Sequence, residues 1–326
     1  MARAEGSVDN NLSEAIPSES HGDIVSTLPT RDRWSQPLVL YKNYWMRAWF
    51  AENIMRLHSS FKSRPEDTFL VSNPKCGTTW LTALAFAITN RSRYDLDHHP
   101  LLFRHPQELV PSMEIPNGVS LDYVETLPSP RILRTHLPIS LLPESVIGCG
   151  CRFVYICRDP KDAFVSRWHF ENRITTRQKI DLENAFNLFS DGVSPFGPFW
   201  DHCLEYWRES TTRPGTVLFL KYKDLMSDPV KCVKRLAKFI GVPFTNKEEE
   251  DRIPDELVKL CSFDKLSGLK VHQTGDFVQN EHVVIERSAF LRKGKVGDWV
   301  NHMTRDIGRK LDYIVEEKLK GSGLMF

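Results

Sequence analysis

The sequence has no uninterrupted run of about 18 apolar residues, the length that a transmembrane helix needs. It has almost no excess charge, because the formal net charge at pH 7 is +1, so a general attraction to nucleic acid or membrane is not expected. Its first residues contain neither the apolar core of a secretory signal nor an Arg-rich transit segment. We therefore predict a cytoplasmic protein that binds neither nucleic acid nor membrane, with its positive potential confined to a site.

The sequence also lacks the regularly spaced cysteines of a disulfide framework or a zinc site. The seven cysteines are an odd number, and the close pair Cys149 and Cys151 has no second pair at zinc-ligand spacing. The adjacent His98 and His99 have no further ligand at helical spacing. These absences predict reduced thiols and no metal site.

The 326 residues present include 41% apolar residues, enough to bury the core of one large α/β domain. The polar segment Met1–Ser35 is expected to be disordered for much of its length, so the folded domain is predicted to span 36–326. Apolar runs of strand type alternate with helical patterns, at 68–71, 132–138, 152–157 and 216–220. We predict a single α/β domain with a mainly parallel central sheet flanked by helices.

Other segments give weaker signals for secondary structure. Helical or partly helical segments are predicted at 36–61, 160–172, 200–207, 229–240, 247–260 and 304–319. Asp159 and Asp228 are expected to cap two of these helices, and Gly241 to end one. The segments 91–130 and 268–296 are predicted to be irregular.

The stretch 72–80 joins a strand to a helix through a tight turn, as in P-loop-like phosphate sites. Gly77 lets the backbone approach an anion closely, Lys75 adds a charge, and Thr78 and Thr79 add hydroxyl donors. The early glycine of a nucleotide P-loop is missing, and the lysine precedes the glycine instead of following it. An ordinary strand-to-helix turn is the alternative interpretation.

Further polar residues lie at or soon after the predicted strand ends, namely His136, Arg158 and Ser166. Ligands of parallel sheets bind at the carboxyl ends of the strands, so these residues and Lys75 are expected to converge on one crevice. A histidine there suits proton transfer near neutral pH.

Three blocks, 73–80, 155–166 and 292–299, with Thr135-His136 between the first two, carry a resemblance to a known family. In them the chain resembles the cytosolic sulfotransferases, most closely the plant soluble branch, over about residues 65–320. The resemblance implies transfer of a sulfuryl group from 3′-phosphoadenosine 5′-phosphosulfate (PAPS) to a hydroxyl of a small hydrophobic acceptor. The product is 3′-phosphoadenosine 5′-phosphate (PAP), and no metal is implied.

The resemblance also implies roles for individual residues. His136 is the general base, and Lys75, which Ser166 restrains until acceptor binds, stabilises the leaving phosphate. The implied donor-binding set comprises Lys75, Cys76, Gly77, Thr78 and Thr79 at the 5′ end, Arg158, Ser166, Leu291, Arg292, Lys293 and Gly294 at the 3′-phosphate side, and Trp80, Tyr222 and Phe263 around the adenine.

The chain departs from the family pattern at several positions. Cys76 replaces the usual Ser, Arg134 stands where many animal members have a catalytic Lys, and Cys261 where they often have an adenine-contacting Thr. Of the animal dimer motif only Thr304 remains, so a monomer is expected.

The sequence leaves the acceptor and two other functions open. Flavonoids, brassinosteroids or other steroids, desulfoglucosinolates, hydroxyjasmonates and simple phenols are all candidate acceptors, with pocket walls expected around Trp45, Phe103 and 276–285. The alternatives are a P-loop small-molecule kinase that uses ATP and magnesium, and a non-catalytic PAP-binding protein.

Overall fold

The computed structural model describes residues 20–32, 34–114, 121–174, 178–280 and 283–326. Its strands are β1 Thr30–Arg31, β2 Leu38–Tyr41, β3 Tyr44–Met46, β4 Thr68–Val71, β5 Ile132–Thr135, β6 Arg152–Cys157, β7 Val217–Lys221, β8 Asp276–Asn280 and β9 Val283–Glu286. Its α-helices are α1 His21–Ser26, α2 Ala48–Ser60, α3 Thr78–Thr89, α4 Pro106–Leu109, α5 Leu121–Thr126, α6 Glu144–Ile147, α7 Pro160–Glu171, α8 Leu182–Ser190, α9 Phe199–Thr212, α10 Tyr222–Ser227, α11 Pro229–Phe239, α12 Asn246–Glu250, α13 Ile253–Leu260, α14 Phe263–Gly268, α15 Lys270–Gln273 and α16 Arg305–Leu319. Short 3-10 helices lie at Leu96–His98, Pro100–Leu102, Ile139–Leu141, Arg287–Ala289 and Asp298–Asn301. None of the helices among these described residues is long and apolar enough to cross a membrane.

The central sheet has four parallel strands in the order β5-β4-β6-β7. Alternate residues along β6 face two separate cores: Phe153 and Tyr155 pack on one side, and Val154 and Ile156 on the other. Both faces are covered by helices, which is why these strands are apolar at nearly every position. The predicted α/β fold with a mainly parallel sheet is confirmed.

The turn from β4 to α3 has the conformation that an anion cradle needs. Gly77 precedes the helix with φ +115°, and a Cβ built there would lie 2.9 Å from the Tyr222 ring, so any other residue would be strained and crowded. Lys75 also has a positive φ, +73°. The turn therefore aims the first N–H groups of α3 at the carboxyl end of the sheet.

Two predicted helix boundaries are confirmed by their capping contacts. The Asp159 carboxylate accepts hydrogen bonds from the backbone N–H groups of Lys161 and Asp162, and Pro160 opens α7. The Asp228 side chain caps α11 in the same way, and Gly241, at φ +88°, follows its end. The last helix, α16, begins after Thr304 as expected.

Several other segment predictions were wrong. The helix expected over 247–260 is divided into α12 and α13, because Arg252 lies in the left-handed region at φ +56° and Pro254 cannot donate a backbone hydrogen bond. The segment 268–296, expected to be irregular, contains the hairpin β8–β9. The segment 91–130, also expected to be irregular, contains several short helices. The segment 36–61 is partly helical as predicted, but the hairpin β2–β3 precedes its helix α2.

The predicted start of the folded part at residue 36 also needs correction. Residues 1–19 lie outside the described residues, but α1 and β1 precede residue 36, and β1 pairs with β2. Trp34 is only 4% exposed, and its indole Nε1 donates a hydrogen bond to the Val193 carbonyl at 2.7 Å. Burial of this large side chain anchors the segment to the core.

Candidate functional site

A cavity of about 460 Å³ opens at the carboxyl ends of β4, β5 and β6. The sequence-predicted residues that line it are Lys75, Gly77, Thr78, Thr79, Trp80, His136, Arg158, Ser166, Tyr222, Phe263, Leu291, Arg292, Lys293 and Gly294. Segments more than 200 positions apart in the sequence thus meet in one cavity, at the sheet edge where ligands of this fold class bind.

Cys76 is the one predicted site residue that does not line the cavity. Its side chain is fully buried in the core, and burial raises the pKa of its thiol to about 12. Its backbone N–H donates to the Asn73 carbonyl at 3.3 Å, which closes the turn. Cys76 therefore supports the cradle from behind and does not present its thiol to a ligand.

The cradle itself is built from the α3 N-terminus and the side chains around it. Thr78 and Thr79 occupy the first turn, where backbone N–H groups have no intrahelical acceptor. The hydroxyls of Ser72 and Thr78 lie 2.5 Å apart and fix each other's orientation. Such a helix end, with its positive partial charge, favours a phosphate or sulfate group.

Lys75 reaches across the cavity rather than into solvent. Its Nζ lies 4.0 Å from the centre of the Phe170 ring and donates a hydrogen bond to the Ala289 carbonyl at 3.2 Å, not to Ser166. Burial, and then the positive charges of Arg167, Arg158 and Arg292, lower the pKa of Lys75 to about 7. Burial and the neighbouring positive charges make the charged form of Lys75 unfavourable here, so an anion bound beside it would be strongly attracted to it.

A second group of cations lies just before α7, at Arg158, and in the loop before residue 299, at Arg292. Arg158 Nη2 donates to the Lys295 carbonyl at 2.6 Å, and Arg292 Nη2 pairs with Asp298 at 2.6 Å. The Nε atoms of both arginines are buried without a hydrogen-bond partner among the described residues. The two guanidinium groups therefore retain donor capacity toward the cavity, which they and Ser166 line.

Asp162 connects this loop to the first turn of α7. Its two carboxylate oxygens accept the backbone N–H groups of Gly297, at 2.7 Å, and Trp299, at 3.1 Å. It also lies 3.7 Å from Arg158 Nη2. One buried carboxylate thus holds together the two segments that supply the second cation group.

Aromatic side chains form one wall between these anion sites. Trp80 meets Tyr222 edge-on at 5.6 Å, and Arg158 lies 4.7 Å from the centre of the Tyr222 ring. A Cβ added to Gly294 would fall 2.4 Å from the Phe263 ring, so this backbone and ring can pack together only because the residue is glycine. The wall offers flat apolar surfaces of the kind that stack on a purine.

His136 immediately follows β5 and faces the same cavity. Its Nδ1 lies 2.8 Å from the Ser72 carbonyl, which can only accept, so the proton of the neutral ring is on Nδ1 and Nε2 carries a lone pair. Its backbone N–H donates to Glu114, and its carbonyl accepts from His202 Nε2 at 2.9 Å. Because desolvation in the enclosed cavity lowers its pKa to about 3, the imidazole is neutral near pH 7.

Several cavity residues were missed because no motif marks them. Arg47 and Arg167 line the cavity and share the buried Glu171 carboxylate, at 2.7 and 3.4 Å. Four phenylalanines form the apolar wall near His136: Phe50, Phe170, Phe196 and Phe290. For these residues the sequence offered one signal: Arg167 and Glu171 lie four residues apart on a helix, a spacing that allows an ion pair.

The acceptor walls expected from the sequence do not line this cavity. Trp45 packs on the core, and Phe103 is exposed. No described residue of 276–285 borders the cavity. The phenylalanines named above take the place of these residues, because the chain folds them over the end of the sheet from four different elements.

Comparisons with known proteins agree with this geometry. The family model described as "Sulfotransferase domain" matches residues 65–323. Cytosolic sulfotransferase 17 of Arabidopsis thaliana is 41% identical, over 97% of this chain and 95% of that protein. Flavonol 3-sulfotransferase of Flaveria bidentis is 42% identical, over 93% of this chain and 99% of that protein.

A solved structure of a mouse sulfotransferase in complex with PAP superimposes with a TM-score of 0.70 at 25% identity. The match covers 87% of this chain and 95% of the mouse protein. Sequence identity over nearly the whole length and the shared fold lead to one conclusion: the chain belongs to the sulfotransferase family and is a sulfotransferase enzyme.

Proposed function

We propose that this sulfotransferase transfers the sulfuryl group of PAPS to a hydroxyl of a small acceptor, in the cytosol, with His136 as general base. The observation that carries the proposal is the pairing of a neutral imidazole, its Nε2 lone pair free, with two separate cation groups in one cavity. PAPS has two anionic ends. The mouse relative was solved with PAP, and the relative from Arabidopsis thaliana is named cytosolic.

The residues of the cavity fit PAPS in charge and shape. The α3 N-terminus and Lys75 suit the 5′-phosphosulfate, while Arg158, Arg292 and Ser166 suit the 3′-phosphate. The aromatic wall from Trp80, Tyr222 and Phe263 suits the adenine. The indole Nε1 of Trp80 is a buried donor that has no hydrogen-bond partner in the part of the chain that the structure describes.

The transfer step follows from these positions. The acceptor oxygen attacks sulfur, the bond from sulfur to the bridging oxygen of the 5′-phosphate breaks, and PAP leaves. The hydroxyl proton goes to His136 Nε2. The hydrogen bond from Nδ1 to the Ser72 carbonyl fixes the tautomer and the orientation of the ring, and desolvation keeps the ring neutral so that Nε2 can accept the proton. Lys75 stabilises the negative charge that develops on the leaving phosphate.

The apolar wall near His136 limits the acceptor to a small hydrophobic molecule. Phe50, Phe170, Phe196 and Phe290 offer ring faces and edges to a flat or alicyclic body. Flavonols fit that description, and a relative at 42% identity is named a flavonol 3-sulfotransferase. We propose that the enzyme acts as a monomer, since only Thr304 remains of the dimer motif that many animal members carry.

The test of this function is a donor and acceptor screen. The protein is mixed with PAPS or with ATP and a panel of phenols, flavonols and steroids, and products are identified by mass. We expect sulfated and no phosphorylated products. Phosphorylated products would favour the kinase interpretation, and PAP binding without any turnover would favour a non-catalytic binding protein.

Chelation should not abolish activity. Lys and Arg balance the charge of the donor here, and no group of three or more potential metal ligands occurs among the residues that the structure describes. We therefore expect the sulfation rate in EDTA to stay within about twofold of the rate without it. A rate lost in EDTA and restored by magnesium would contradict this expectation.

Removal of either arginine near the 3′-phosphate should weaken donor binding. We expect Arg158→Ala and Arg292→Ala each to raise the Kd for PAP by about 10- to 100-fold, because each loses a charge-assisted contact worth about 1.5–3 kcal/mol. Calorimetric titration measures this change. Arg56→Ala, on the exposed face of α2, is the matched control. Unchanged PAP affinity in both variants would remove these arginines from the donor site.

A further inference from the structure

The side chain of Arg134 lines the cavity close to the proposed base but has no role in the mechanism above. Arg134 is only 1% exposed, and its Nε donates a hydrogen bond to the Val110 carbonyl at 3.0 Å. Among the described residues, its buried Nη2 has no hydrogen-bond partner, and no carboxylate forms an ion pair with the guanidinium group. A fully buried guanidinium group thus faces the cavity unpaired.

The other buried arginines of the chain are paired. Arg131, also fully buried, binds Asp67 through two nitrogens, at 2.9 and 2.6 Å. Arg47 and Arg167 share Glu171. An unpaired buried charge costs several kcal/mol, so the exception at Arg134 requires a physical reason.

The groups around Arg134 do not supply its missing partner. Among the described residues, Glu114 is the carboxylate whose charge acts on Arg134. Its Oε1 accepts the backbone N–H of His136 at 2.5 Å, and its Oε2 is buried without a hydrogen-bond partner among those residues, so the two side chains attract each other at a distance but form no ion pair. Burial raises the pKa of Glu114 and lowers that of Arg134 to about 10, so the guanidinium remains charged near neutral pH. The nearby His105 is kept uncharged by its burial.

The position of Arg134 relative to His136 points to the acceptor. Residues two apart in extended chain face the same side, with about 6.6 Å between their Cα atoms. Both side chains line the cavity, and Phe50, Phe196 and Phe290 line it too. An acceptor with its hydroxyl at His136 Nε2 therefore extends its body over the rings and presents a further group to Arg134.

We infer that the acceptor of this enzyme carries a carboxylate, which Arg134 binds within the apolar pocket while His136 takes the proton of the hydroxyl. The inference rests on the proposed function and narrows its acceptor from any small hydrophobic hydroxyl compound, flavonols included, to hydroxylated aromatic or alicyclic carboxylic acids. The carboxylate provides the missing partner, and the bidentate geometry of the guanidinium selects it over a neutral group.

The test compares two acceptors that differ in one charge, 4-hydroxyphenylacetate and its methyl ester. Their phenols have similar acidity, because a methylene separates the ring from the acyl group. We expect kcat/KM of the parent enzyme to favour the acid by about 10- to 100-fold. Arg134→Met should remove this preference by lowering kcat/KM for the acid, with little change for the ester, and Arg134→Lys should keep part of it.

The controls separate an acceptor contact from other roles. PAP affinity of Arg134→Met, measured by titration, should equal that of the parent, and Arg56→Met should change neither acceptor. An equal loss with acid and ester would overturn the inference, since Arg134 would then act on the transferred group. A parent enzyme that sulfates both without preference would also overturn it, but would leave the proposed function standing.

Binding measurements make the inference testable without turnover. The complex with PAP is titrated with the acid and with the ester, in the parent and in the two Arg134 variants. Tighter binding of the acid by the parent alone supports the inference even if neither compound is sulfated, and equal binding overturns it. Should Arg134→Met fail to fold, the acid-to-ester ratios of the parent and of Arg134→Lys decide. Absence of sulfation across the whole acceptor panel would count against the proposed function instead.

Discussion

Replacement of His136 by alanine is expected to lower kcat by about 10²- to 10⁴-fold while leaving the Kd for PAP within about threefold of the parent value. The substitution removes the Nε2 lone pair that we propose receives the hydroxyl proton. It leaves the α3 N-terminus, Lys75 and the two arginines of the proposed donor site in place. This combination of a large kinetic loss with retained donor affinity is the signature of a base.

The measurement is kcat as a function of acceptor pKa for the parent and for His136→Ala. Acidic acceptors such as nitrophenols need less help from a base, so the loss should be smallest with them. A structural histidine would behave differently, because loss of its bond to Ser72 would lower the melting temperature and weaken donor binding with every acceptor alike. If His136→Ala lowered kcat by the same factor with every acceptor, so that the two lines ran parallel, and if it also bound PAP weakly, His136 would not be the base.

Replacement of Lys75 by alanine is expected to lower kcat by about 10²- to 10³-fold, because in the proposed mechanism the charge on the departing phosphate loses the cation that stabilises it. Lys75→Arg is the matched variant. It keeps a positive charge but cannot occupy the same space over Phe170, so part of the rate should return. Wild-type kcat in Lys75→Ala, measured at saturating PAPS, would exclude Lys75 from the transfer step.

The pKa of Lys75 gives this prediction a second, independent readout. In the free enzyme that pKa is lowered to about 7, and a bound phosphate raises it because it favours the charged amine. PAP should therefore bind most tightly below pH 7 and less tightly as the pH rises above it, with proton uptake on binding. Calorimetry in buffers of different ionisation enthalpy measures that uptake, which should decrease in Lys75→Ala. If Lys75→Ala took up as many protons on binding PAP as the parent does, another group would be the one that gains the proton.

The parts of the site that follow from local chemistry could be predicted from the sequence. Gly77 predicts a tight turn because of its allowed backbone angles, and Asp159 with Pro160 predicts a helix start because of capping. The short apolar runs predict buried parallel strands, because a strand covered by helices on both faces is apolar at nearly every position. The motif residues then meet because parallel strands end at one edge of a sheet.

The parts that depend on distant partners could not be predicted. Nothing near Arg47 in the sequence shows that it shares Glu171 with Arg167 across 124 positions. Phe196 and Phe290 look like ordinary core residues until the fold brings them to His136.

The Asp162 carboxylate has a consequence for the order in which the protein becomes competent during synthesis. Its partners, the backbone N–H groups of Gly297 and Trp299, lie 135 and 137 positions later in the chain. The strands, the cradle and His136 are all translated before them. A nascent chain therefore has its proposed base and its first anion site well before the loop of Arg292 can be attached to α7. Full affinity for the proposed donor must await the emergence of that loop from the ribosome, so we expect an incomplete chain to hold PAPS, and to waste its activated sulfate, less than the finished enzyme does.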